Sequence, residues 1–142
     1  MRDIENTDFH RAKELLTDGS FTCVVISGDY LFTSTERGVK PLLELLEGQS
    51  VEGGVAADKV VGKAAAFLYV LLGIKVLYAN VISELALDVL KKHQIEVFYA
   101  NIVPMIRNRT DTGYCPMEQA TCGIEDPKEA LDAIKATLKS LK

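Results

Sequence analysis

The chain has 142 residues, 48% of them hydrophobic and 25% charged, with 10 glycines and 4 prolines. This composition supports one domain spanning residues 1–142 and excludes a disordered or linker-like chain, while two domains would leave neither with an adequate core. With 16 basic and 20 acidic residues the net charge is -4, which argues against electrostatically driven binding of nucleic acid.

Phe9, Ala12, Leu15 and Leu16 recur at helical spacing, so residues 8–17 read as a helix stopped by Gly19. Residues 21–26 form a β-rich run, Gly28-Asp29 a two-residue turn, and residues 30–33 the returning strand. Residues 38–46 read as a short helix with Pro41 in its first turn and Gly48 at its end. Gly53-Gly54 then leads into the longest helical candidate, residues 56–72, which is alanine-rich and apolar nearly all round and therefore expected at the centre. Residues 76–79 are a strand, and Ser83 suits the N-cap of a helix reaching about Lys92. Residues 97–99 are a further strand. Residues 104–123 are long and polar, with a short helix beginning near Pro116. Asp126-Pro127-Lys128-Glu129 opens a last helix whose buried stripe is Leu131, Ile134, Leu138 and Leu141. The expected architecture is α/β: a mixed sheet between helical layers, with the last two strands parallel.

Met1-Arg2-Asp3-Ile4-Glu5-Asn6 is polar and of mixed charge, unlike a signal peptide. The longest uncharged apolar stretch, residues 64–74, is closed by Lys63 and Lys75 and falls short of the roughly 20 residues a bilayer requires. A cytoplasmic protein without membrane partners is expected. Cys23, Cys115 and Cys122 are an odd count for a disulfide framework, and Cys23 lies in an apolar run that suits a core position. His10 and His93 stand near no cysteine pair of zinc spacing, and no acidic cluster suits calcium or magnesium, so neither metal nor cofactor is expected.

Three places carry polar groups at suggestive spacing. The turn ending at Gly54 feeds the expected long helix, where Lys59 and Lys63 would lie one turn apart and hold a phosphate or carboxylate. In the plainer reading the glycines only turn the chain, Asp58 caps the helix and the lysines extend to solvent. The Walker spacing is absent. Ser83, at a strand end, either meets a ligand or merely caps. In the long polar segment, Asn108 and Arg109 suit an anion, and Cys115 precedes Pro116 and Glu118 at a helix start, where a thiol is more reactive. There the plainer reading is a surface loop with Cys115 capping or buried.

Ala57-Asp58-Lys59-Val60-Val61-Gly62-Lys63-Ala64-Ala65-Ala66, Val81-Ile82-Ser83-Glu84, Asn108-Arg109-Thr110 and Cys115-Pro116-Met117-Glu118 carry a family likeness. Over nearly all of residues 8–123 the chain resembles a small prokaryotic family, a domain of unknown function, in the cytidine-deaminase-like superfamily. The resemblance implies that superfamily's three-layer fold and a homo-oligomer, expected to be a dimer. Its true deaminases open two helices with His/Cys-Ala-Glu and Pro-Cys-x-x-Cys, whose ligands hold a water-activating zinc. The matching starts here, Ala57-Asp58-Lys59 and Ile82-Ser83-Glu84-Leu85-Ala86, contain no such ligand, so a zinc deaminase is disfavoured. The expected function is a metal-independent site, binding or enzymatic, for an anionic or nucleotide-like ligand. Gly54, Lys59, Lys63, Ser83, Asn108 and Arg109 would hold it, with Asp58 or Glu118 as acid–base and Cys115 as candidate nucleophile. The alternative is a non-catalytic module acting through oligomerisation or protein partners, since the apolar segment 56–74 exceeds what a small monomer readily covers.

Overall fold

The computed structural model describes residues 2–36 (side chains from Thr7), 38–48, 50–107, 113 and 115–140. Among them the elements run α1 (Arg2–Asp18), β1 (Cys23–Ser27), β2 (Tyr30–Ser34), α2 (Lys40–Glu47), β3 (Val55–Val61), α3 (Lys63–Leu72), β4 (Val76–Ser83), α4 (Glu84–Lys92), β5 (Glu96–Val103), α5 (Pro116–Thr121) and α6 (Pro127–Ser140). The strands form one mixed sheet in the order β2-β1-β3-β4-β5. β1 is antiparallel to both β2 and β3, whereas β3, β4 and β5 are parallel.

The hairpin follows from its turn. Ser27 pairs with Tyr30, leaving Gly28-Asp29 as a two-residue loop in which Gly28 takes φ 58. A left-handed first position suits glycine, and the mirror-image turn matches the strand twist.

Side-chain alternation divides the sheet into two faces. Val24, Ile26, Val55, Ala57, Val76 and Tyr78 pack against Ala12 and Leu16 of α1. Cys23, Val25, Ala56, Leu77 and Ala79 face the larger core built from α2, α3, α4 and α6. The result is a helical layer on each side of the sheet. α3 is buried almost throughout: Ala64, Ala65, Ala66, Phe67, Leu68 and Tyr69 are all buried. Leu131, Ile134 and Leu138 of α6 pack on this core as expected; Leu141 lies outside the described residues.

The expected helix 56–72 is corrected. Residues Val55–Val61 are the central strand β3, and the helix begins only at Lys63, with Gly62 as its extended N-cap. A strand buried on both faces and a buried helix give the same unbroken apolar run, so periodicity does not separate them. Val55, Val60 and Val61 favour the strand, and Gly62 marks the break. Gly54 consequently precedes a strand and not a helix N-terminus. It turns where no side chain fits: a Cβ there would lie 2.8 Å from the Ile26 carbonyl oxygen and 2.9 Å from that of Val51.

Candidate functional site

Gly62 offers α3 no side-chain cap. Glu118 of α5 supplies one from a distance. Its Oε1 accepts the Lys63 N–H at 2.6 Å, and its Oε2 accepts the Ile106 N–H at 2.6 Å. The carboxylate is fully buried at the positive end of the helix. Glycine at position 62 leaves it room, since a Cβ would stand 3.1 Å from Glu118 Oε1 and from Ile106 Cγ1.

Lys63 opens α3 with its side chain only 5% exposed. Its Nζ donates to the Cys122 carbonyl at 2.8 Å and to Glu125 Oε2 at 3.4 Å. Lys92, at the end of α4, donates to Glu125 Oε1 at 3.0 Å. Two ammonium groups from different helices therefore meet on one carboxylate. The Lys92 hydrogen bond, then that of Lys63, holds the Glu125 carboxyl below the usual carboxylate range. These groups edge a cleft of about 220 Å³ between α3, α4 and the α5–α6 loop, with Phe67, Leu85 and Val89 as apolar wall and Asp88 and His93 beside Lys92.

Asp58 is placed differently. It is buried on β3 facing α3, where Tyr69 Oη donates to its Oδ2 at 2.7 Å and the Val60 N–H to its Oδ1 at 3.3 Å. Tyr69 Oη lies 3.4 Å from Cys23 Sγ. Burial raises the Asp58 carboxyl to about 7 against the opposing hydrogen bonds of Tyr69, Val60 and Lys59. Burial, followed by the Asp58 charge, also pushes up the Tyr69 hydroxyl and the Cys23 thiol. The three side chains form an enclosed network, and none of them lines the cleft.

Lys59 is exposed on β3, its N–H bonded to the Thr22 carbonyl at 3.0 Å. The expected pairing of Lys59 and Lys63 on one helical face is thus corrected: one is on a strand, the other on the next helix. Ser83 is buried, and its Oγ accepts the Ala86 N–H at 3.1 Å, capping α4. Cys115 is half-buried at the start of α5, with its N–H on the Ile106 carbonyl at 2.8 Å and its side chain against the core. Asn108 and Arg109 lie outside the described residues. Asp58, Lys59 and Cys115 therefore occupy three separate settings, while Lys63 and Glu118 meet at one helix start. No group of three His, Cys, Asp or Glu that could hold a metal occurs among the described residues, and no described helix is long and apolar enough to cross a membrane.

A family model described as a domain of unknown function, DUF1893, matches residues 11–138. The chain belongs to the DUF1893 family. Its fold is similar to the crystal structure of the DUF1893 family protein TM1506 from Thermotoga maritima, with a TM-score of 0.86 and 26% identity over 93% of this chain and 90% of that one. No curated protein matches the chain.

In this DUF1893 domain the groups that complete the cleft, Lys92 and Glu125, escape a reading of local sequence. Lys63 gave the one signal. A lysine entering an apolar helix needs a partner for its charge, but spacing does not tell which acid supplies it. Tyr69, the partner of Asp58, and Cys23, which lies against the Tyr69 hydroxyl, read as ordinary core residues for the same reason.

Proposed function

We propose that this DUF1893 domain binds a small anionic ligand, without a metal, in the cleft where Lys63 and Lys92 converge. The observation that carries this reading is the meeting of a buried and an exposed ammonium group on the single carboxylate of Glu125 at the cleft mouth. A buried lysine is costly without a counter-charge, and a paired cation site suits carboxylate or phosphate. The cleft, at about 220 Å³, is smaller than the ~300–1,000 Å³ usual for larger ligands, which favours a compact carboxylate or phosphate ester over a whole nucleotide. We also read the architecture as cytidine-deaminase-like; the antiparallel hairpin set beside three parallel strands supports that kinship.

Thermal unfolding in the presence of phosphate, small carboxylates, sugar phosphates and nucleotides tests the reading. A ligand at a hundred times its dissociation constant adds about 2.7 kcal/mol. We expect compact anions to raise the midpoint of the native protein and Lys92→Met to abolish that rise. If no compound raises it, the reading fails.

A second reading, association with another copy, is favoured by β5. This strand pairs only with β4 among the described strands. Phe98, Tyr99 and Ile102 are exposed along it. Its only charge is Glu96, so an antiparallel pairing of two β5 edges about a two-fold axis sets Glu96 opposite Val103 and brings no like charges together. Sedimentation should then find a dimer at micromolar concentration that Ile102→Lys dissociates; a monomer at that concentration counts against it.

A further inference from the structure

We infer that Glu125 is a tethered competitor for the anion site, occupying the position between Lys63 and Lys92 that an external carboxylate or phosphate takes by displacing it. This inference rests on the reading of the cleft as an anion site.

The two cations hold Glu125 unequally. The Lys63 side chain is 5% exposed and also bound to the Cys122 carbonyl, so it stays in place whether or not Glu125 is there. The side chains of Glu125 and Lys92 are 70% and 64% exposed. A solvent-exposed ion pair of this kind is weak and screened by salt. Displacing Glu125 therefore breaks an exposed contact to Lys92 and a longer, part-buried one to Lys63, and leaving it displaced with nothing in its place strands the buried Lys63 charge. A free anion reverses that loss, and one with two negative charges answers both ammonium groups.

The backbone permits the exchange. On one side of Glu125 the Ile124 N–H bonds to the Thr121 carbonyl at 3.0 Å. On the other, Asp126 Oδ2 accepts the Glu129 N–H at 3.3 Å and caps α6. Both anchors hold without the Glu125 side chain, so it can swing to solvent with neither helix disturbed. A carboxylate on so short a tether acts at millimolar effective concentration, which sets the external anion a threshold of the same order.

Phosphate and acetate titrations followed by NMR on the wild type, Glu125→Gln, Glu125→Ala and Lys92→Met test the idea. Phosphate should bind the wild type weakly, bind both Glu125 variants roughly three- to tenfold more tightly, and bind Lys92→Met least. Saturation of the wild type should shift the Glu125 side-chain carboxyl resonance. Phosphate binding that depends on Lys92 but is unchanged or weakened in both Glu125 variants overturns the competitor role and leaves the anion site standing. Absence of binding to the wild type and to both Glu125 variants overturns the anion site itself.

Discussion

Replacing Glu118 by alanine should lower folding stability by about 4 kcal/mol, read from urea unfolding. The carboxylate accepts two short backbone hydrogen bonds, each at 2.6 Å, in a fully buried place. Charge-assisted hydrogen bonds contribute about 1.5–3 kcal/mol each, and their loss leaves the Lys63 and Ile106 N–H groups without an acceptor. Glu118→Gln should cost roughly half as much, since its amide oxygen still accepts one N–H while its NH₂ faces the other. The effect reaches the cleft, because the same bond holds the first turn of α3 from which Lys63 projects. Anion binding should therefore weaken in the alanine variant even where the protein remains folded. A loss under about 1 kcal/mol would show that water replaces the carboxylate at both donors.

The second large effect is a dependence of stability on pH that disappears in Asp58→Asn. The Asp58 carboxyl stands at about 7 in the folded protein against 3.8 for the free group. Its protonated form is the one the fold favours. The stability this gives is full below pH 3.8, is lost as pH rises from there to about 7, and is absent above. The difference between the two values (7 − 3.8) corresponds to about 4 kcal/mol. Wild-type protein should thus be markedly more stable at pH 5 than at pH 8. The amide introduced by Asp58→Asn keeps an acceptor for the Tyr69 hydroxyl and carries no charge, so this variant should flatten that window and exceed the wild type at pH 8. Parallel pH profiles for the two proteins would refute the assignment.

The elements that could be read from the chain were those decided by neighbours in sequence. The Gly28-Asp29 hairpin, the α2 start at Pro41, the Ser83 cap and the Asp126-Pro127 opening of α6 each depend on backbone geometry within a few residues. The parallel relation of β4 and β5 followed as well, since a helix joins them. The tertiary structure decided what residues 55–61 became. Their apolar run is compatible with helix and strand alike, and pairing with β1 on one side and β4 on the other selects the strand. It also decided the fates of the charged groups. Glu118 reaches Lys63 across 55 residues, Lys63 reaches Glu125 across 62, and Lys92 reaches the same carboxylate across 33. Residue type specified that each of these charges needs a partner; only the packing of α3, α4 and α5 around the sheet could specify which one, because electrostatic pairing acts through space and leaves no period along the chain.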